Sequence, residues 1–342
     1  MENCQCPKHG FCKYYNQEMT YDPPNWQWCQ SASEQDRLNY KKQCELKQER
    51  LKKEEDTYLA GQYITNAQLI RDCKNILLPQ IANLDIRGVL GIPRSGMFPA
   101  SMIAMWLNLP LYFLDPQNNL VPMSGASKFG GIRMMEHKPL TGRLLVMDDT
   151  VYAGTAMKNI RSRLLEDVYF SAVYVKPEAK EVVDFYAKEL PSPHLLEWNL
   201  FNCTYIEQAL LDFDGILSPN IPVDVCQDEK SYIDYIKNVR PFYHRIPRFK
   251  CKGIVTARLE RYRSITEEWL SAHNIKYDSL TMMPDRMEEE RNKNHVEVSS
   301  TYKAKMFCDS DAKFFVESEV AEAIRIRKKS GKLVICPEEK DG

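Results

Sequence analysis

The chain has 342 residues, with 46 Lys and Arg against 47 Asp and Glu and a formal charge of -1. That length exceeds what a single core usually serves and predicts about two domains. The even charge balance gives no global field to recruit nucleic acid or an anionic membrane, so any phosphate site must be local.

No apolar run approaches the ~18 residues that span a bilayer, and residues 1–10 lack the basic and apolar regions of a signal peptide. These features predict no membrane partner and a cytoplasmic location. The eleven cysteines are odd in number. Cys73, Cys203, Cys226, Cys251, Cys308 and Cys336 are scattered singly and read as reduced thiols rather than a disulfide framework.

Residues 1–32 are rich in Cys, Pro and aromatics. Residues 33–57 follow with strong helix formers, no Gly or Pro and only sparse apolar positions, which predicts a solvated connecting helix. From about Tyr58 the short apolar runs IRGVLGI, LPLYFL, RLLVMDD and YFSAVYV alternate with helical stretches. The alternation pauses near residues 191–202, then resumes with ALLDFDG, CKGIVTA, KFFVES and KLVICP. Strands separated by helices predict an α/β chain with two parallel-sheet, Rossmann-like domains, at 58–202 and 203–342. The charged run 286–293 reads as a solvated helix face or loop.

In such sheets ligands bind at the carboxyl ends of strands, where loops and helix starts present backbone N–H groups. Gly91-Ile92-Pro93-Arg94-Ser95-Gly96 follows one strand and combines small residues with a positive charge. A second strand runs into Asp148-Asp149, followed by Thr150-Val151-Tyr152-Ala153-Gly154-Thr155-Ala156 and a helix. Adjacent carboxylates at a strand end repel and need cations or sugar hydroxyls as partners, although such a pair also occurs as a simple cap.

Strand-Asp-Asp-Thr-x-x-x-Gly-Thr resembles the phosphoribosyl-pyrophosphate motif of type I phosphoribosyltransferases. The resemblance covers roughly residues 58–200. It implies that Asp148 and Asp149 contact ribose hydroxyls, that residues 150–156 cradle the 5-phosphate, and that Arg94, Ser95 and Gly96 form the pyrophosphate loop. The stretch SGASKFGGIR is similar to that family's catalytic loop, with Lys128 or Arg133 reaching the pyrophosphate. Ala153 and Ala156 stand where the family usually has hydroxyl residues. A homodimer is implied by the same resemblance.

Leu210-Leu211-Asp212-Phe213-Asp214-Gly215 places two carboxylates at i and i+2 beyond an apolar strand. One can attack a phosphoryl group while the other protonates the leaving oxygen, with a divalent cation offsetting the repulsion. The order of the segments downstream of this pair resembles the haloacid-dehalogenase-like superfamily. That resemblance implies Thr256 as the phosphoryl-binding threonine, Lys303, with Lys305 as the alternative, as the neutralising lysine, and Glu317 and Glu319 as magnesium ligands alongside Asp212 and Asp214. The nearby Asp309 and Asp311 are alternatives for the last pair. Arg258 reads equally as a surface residue or a substrate contact.

Cys6, His9, Cys12 and Cys29, with Cys4 beside them, concentrate soft ligands in a segment too short to fold alone. Structural zinc, unbound thiols and an iron–sulfur cluster are the readings open there.

The expected function is a bifunctional enzyme of nucleotide or nucleoside metabolism. One domain makes or breaks an N-glycosidic bond at a phosphoribosyl pyrophosphate-type site, and the other hydrolyses a phosphomonoester with Mg²⁺. The alternative makes the first domain a nucleotide sensor that regulates the phosphatase. In a third reading, compatible with both, the amino-terminal segment docks a partner protein.

Overall fold

A computed structural model of the protein describes residues 62–123, 142–164, 167–222, 225 and 228–337. The Cys-rich segment 1–32 with its proposed zinc ligands Cys6, His9, Cys12 and Cys29, the helix expected over 33–57, and the loop carrying Lys128 and Arg133 all lie outside the described residues. The chain is an α/β protein whose parallel strands form two principal sheets.

The first sheet has six strands in the order β4-β3-β2-β5-β6-β7. They are β2 (Ile86–Gly91), β3 (Leu111–Leu114), β4 (Leu120–Pro122), β5 (Arg143–Val151), β6 (Val168–Val175) and β7 (Phe185–Glu189). Alternation along β5 divides its side chains between two cores. Leu145 and Met147 pack with Val89, Ile103 and Val173, while Leu144 and Val146 pack with Leu90, Met157 and Phe170 on the opposite face. A strand covered on both faces reads as a continuous apolar run, which is how RLLVM appears in the sequence. Helix α1 (Asn66–Asp72) continues through a π-helical turn at Cys73–Leu77 into α2 (Leu78–Ile81). Helices α3 (Met97–Leu107) and α4 (Thr155–Arg163) start from the loops that follow β2 and β5.

Two features depart from the expectation of two wholly parallel sheets, one in strand direction and one in the number of sheets. Strand β4 runs antiparallel to β3, because the connection is a tight turn. Asp115 accepts from the N–H groups of Gln117 and Asn119, and Asn118 takes the left-handed conformation that asparagine tolerates. Strands β1 (Gln62–Ile64) and β8 (His194–Leu196) form a separate parallel pair.

The second sheet has five parallel strands in the order β11-β10-β9-β12-β13. They are β9 (Ala209–Leu211), β10 (Gly253–Leu259), β11 (Leu280–Met283), β12 (Phe314–Val316) and β13 (Leu333–Ile335). Leu210, Val255, Phe315 and Val334 build its core against Tyr302, Phe307 and Ile326. The helices are α5 (Glu229–Asn238), α6 (Arg263–Ala272), α7 (Glu288–Lys293), α8 (His295–Asp309) and α9 (Val320–Ser330). The segment between the sheets is two 3₁₀ turns, Glu197–Asn202 and Thr204–Gln208. Strand order reverses between β2 and β5 in one sheet and between β9 and β12 in the other, so each sheet has a crevice at its carboxyl edge there. Among the described residues, no helix is long and apolar enough to cross a membrane, and Cys73, Cys203, Cys251, Cys308 and Cys336 form no disulfide.

Candidate functional site

The crevice of the first sheet brings the two sequence loops together. Ser95, in the loop after β2, donates its hydroxyl to Asp149 Oδ1 at 2.9 Å. Trp198, in the turn after β8, donates its indole N–H to Asp149 Oδ2 at 2.6 Å. Both oxygens of one buried carboxylate are therefore occupied by fixed donors. Asp148 lies beside it, accepting the Asp149 N–H at 2.9 Å. Burial, aided by the neighbouring Asp149 charge, pushes the Asp148 carboxyl up to about 8.

Gly154 sets the adjoining loop. It has φ of 70° at the start of α4, with no side chain capping the helix, and a Cβ there would come within 2.8 Å of the Val182 methyl groups. The uncapped first turn leaves backbone N–H groups open to an anion, with Ala153, Thr155 and Ala156 exposed around it. Thr150 Oγ1 contacts His194 Nε2 at 3.0 Å, and burial pushes the His194 imidazole down toward its neutral form. Tyr152 stacks on the His194 ring with centroids 4.5 Å apart. Arg94, exposed and following a cis peptide bond to Pro93, donates to Asn199 Oδ1 at 3.0 Å. Gly96 is buried at the start of α3.

The crevice of the second sheet holds a denser cluster of charge. Lys303, buried on the inner face of α8, places Nζ 2.9 Å from Asp212 Oδ2, 2.7 Å from Glu317 Oε2 and 2.9 Å from Glu322 Oε2. Burial opposes the lysine's charge, yet the three carboxylates hold its pKa well above the usual value. Burial and the nearby Glu317 push the Asp212 carboxyl well up. Glu317 Oε1 accepts from the N–H groups of Ser318 and Glu319 at 2.9 and 3.1 Å. Glu319 itself is exposed and caps α9.

Asp214 is held from the β10 side. Pairing between β10 and β11 slips between Thr256 and Leu259, and a bulge of this kind re-aims the side chains it contains. Thr256 and Arg258 are both buried. Arg258 donates Nε and Nη2 to the two Asp214 oxygens at 2.9 and 2.6 Å, and lies 3.8 Å from the Phe213 ring centroid. Gly215 turns the chain with φ of 84°.

No family model matches the chain. A xanthine-guanine phosphoribosyltransferase of Chromohalobacter salexigens is 34% identical over 131 residues, covering 36% of this chain and 73% of the relative. The chain belongs to the phosphoribosyltransferase family. A second xanthine-guanine phosphoribosyltransferase, from Nitratidesulfovibrio vulgaris, is 27% identical over 141 residues, covering 40% of this chain and 81% of the relative. Among solved structures, a purine phosphoribosyltransferase of Pyrococcus horikoshii is similar with a TM-score of 0.29 and 17% identity, covering 40% of this chain and 92% of that one.

In this phosphoribosyltransferase relative the structure gathers Arg94, Ser95, Gly96, Asp148, Asp149, Thr150 and Gly154 at one crevice. Asp212, Asp214, Thr256, Lys303, Glu317 and Glu319 line a single cavity at the other. Lys305 is exposed, and Asp311 pairs with Lys252 at the surface. Arg258 is no surface residue: it is 2% exposed. Sequence reasoning missed Trp198, Asn199 and His194, which reach the first crevice from a segment with no motif. It also missed Glu322 and Arg291. Arg291 is hidden in a charged run that reads as a solvated helix face, and a cavity-facing arginine there has no spacing signal.

Proposed function

We propose that the first crevice binds a phosphorylated ribose and transfers or cleaves at its anomeric carbon with a purine as the base, and that the second hydrolyses a phosphomonoester through Asp212. The first half rests on one observation: a pair of buried carboxylates, of which Asp149 is clamped by Ser95 and Trp198, stands beside an uncapped helix start. This combination suits a diol next to a phosphate. Asp148, carrying a proton near neutral pH, can donate to a ribose oxygen while Asp149 accepts. The purine comes from the named activity of the relatives.

The second half rests on the Lys303 cluster, with its resemblance to haloacid-dehalogenase-like enzymes. Asp212 would attack phosphorus, breaking the bond to the leaving oxygen, which takes a proton from Asp214; water then hydrolyses the aspartyl phosphate. Since both Asp214 oxygens accept from Arg258, Asp214 serves as that acid only after the guanidinium shifts. Three buried carboxylates against one ammonium leave excess negative charge, although among the described residues no three His, Cys, Asp or Glu side chains converge as a ready-made metal site. Asp212 and Glu319 would hold Mg²⁺, with Asp214 available to it only once Arg258 has shifted, while Glu317 has both oxygens engaged by protein donors. The cation would neutralise the phosphoryl group.

The test is phosphate release from a panel of phosphomonoesters with Mg²⁺, and pyrophosphate release from phosphoribosyl pyrophosphate with guanine or xanthine. Asp212→Asn is expected to abolish only the former and Asp149→Ala only the latter. Equal activities in intact protein and variants overturn the assignments. A second reading, in which the first crevice regulates the second, is favoured by a chain of contacts. Trp198 and Asn199 touch Asp149 and Arg94, the carbonyl of nearby Phe201 accepts from Arg248 N–H at 2.8 Å, and Arg245 donates to the Gly215 carbonyl at 2.7 Å. A change in phosphate release on adding phosphoribosyl pyrophosphate would support it.

A further inference from the structure

The cavity over the second sheet has a volume of about 720 Å³, within the ~300–1,000 Å³ of small-molecule sites. Most of its cations have carboxylate partners. Lys303 sits among three, Arg258 binds Asp214, Arg261 binds Glu288 and His295 reaches Glu322. Arg291 differs. Among the described residues it has no carboxylate at ion-pair distance; Nη1 donates to the Ala257 carbonyl at 2.8 Å and Nη2 to Asn292 Oδ1 at 3.3 Å.

Two residues that line this cavity each carry a buried guanidinium N–H with no acceptor among the described residues: Arg291 Nε and Arg258 Nη1. A buried donor left without a partner is costly, and more so when it belongs to a charged group. The orphans are neighbours through Ala257, whose carbonyl holds Arg291 and which directly precedes Arg258. Nothing in the phosphoryl-transfer chemistry at Asp212 uses Arg291.

We propose that this pair of arginines is a second oxyanion subsite, so that the cavity takes a phosphomonoester whose leaving group carries another anionic group, such as a second phosphate. This inference rests on the phosphatase reading of the cavity. The forked geometry of arginine suits an oxyanion with several acceptor oxygens. Arg258 Nη1 is the donor that the contact with Asp214 leaves unused and that such an oxyanion would take.

The experiment compares matched esters with the full chain and Mg²⁺: adenosine bisphosphate against adenosine monophosphate, and phosphoglycerate against glycerol phosphate, with p-nitrophenyl phosphate as the reference. At least one substrate with a second anionic group is expected to exceed its partner in kcat/KM by about tenfold, through KM, as one charged hydrogen-bonding contact allows. Arg291→Gln is expected to bring that ratio close to one, and Arg291→Lys, which keeps the charge, to retain part of it. Hydrolysis of p-nitrophenyl phosphate with no preference in either pair overturns the subsite and leaves the phosphatase reading standing. So does a preference that survives in Arg291→Gln. If every ester is inert, the phosphatase reading fails and the subsite with it.

Discussion

Arg258 and Asp214 form a two-point ion pair, Nε to Oδ2 at 2.9 Å and Nη2 to Oδ1 at 2.6 Å, in which the arginine is buried and the aspartate partly open to the cavity. Removing the aspartate strands a buried guanidinium, whereas removing both partners leaves no such charge. Asp214→Ala is therefore expected to cost about 3 kcal/mol, and the double variant with Arg258→Met less than the sum of the single losses. Denaturant unfolding of the four proteins measures the coupling. Strict additivity would show that the pair is not a stabilising unit.

Lys303 is the only cation at hydrogen-bonding distance from three buried carboxylates among the described residues. Lys303→Met would leave Asp212, Glu317 and Glu322 facing one another without it. A loss of at least about 3 kcal/mol is expected, with much of it recovered by adding Glu322→Gln, which removes one charge and keeps an acceptor. Thermal melting of the single and double variants decides. A single variant that melts with the intact protein would mean the carboxylates are already protonated or otherwise neutralised.

The legible parts of the chain are those in which local pattern and tertiary role coincide. RLLVMDD reads as a doubly covered strand ending in carboxylates because β5 lies in the middle of its sheet with its end at the crevice. Asp212 and Asp214 share a loop for the same reason, as β9 is central in the other sheet. The illegible parts come from distant segments. Trp198 reaches Asp149 across 49 positions, from a short 3₁₀ turn whose sequence has no periodicity. Arg258 is ambiguous in the sequence because the slip in β10 pairing overrides simple strand alternation. The antiparallel β4 escapes the strand–helix alternation because a tight turn, built on Asp115 with Asn118 and Asn119, joins it directly to β3.

Gly215 and Gly331 both have positive φ, 84° and 68°, but their surroundings differ. A Cβ at Gly215 would stand 2.2 Å from Ser318 Oγ, whereas one at Gly331 meets nothing within 4 Å. Gly331→Ala should cost only the left-handed strain of about 1–2 kcal/mol. Gly215→Ala adds a steric clash that displaces Ser318 from the Asp214 carbonyl it donates to at 3.0 Å, so its loss should be larger, and phosphate release should fall with it. Equal melting shifts for the two variants would mean that the Gly215 turn relaxes freely.

Asp148 gives the chain a pH dependence whose sign is set by its burial. Its carboxyl is raised from an ordinary value of 3.8 to about 8 by desolvation and by Asp149, so the folded protein holds a proton that the unfolded chain releases. The stabilisation from that proton is complete below the unfolded value and is lost as pH rises through about 8. The slope from this one group is at most about 1.4 kcal/mol per pH unit. Asp148→Asn cannot ionise, yet still offers an oxygen to the Asp149 N–H. It is expected to melt close to the intact protein only below the ordinary carboxyl value of 3.8, to melt progressively higher as pH rises from there to about 8, and to have the flatter stability profile over that range. Parallel profiles for the two proteins would show that Asp148 is ionised throughout, and that its charge is already compensated in the folded state.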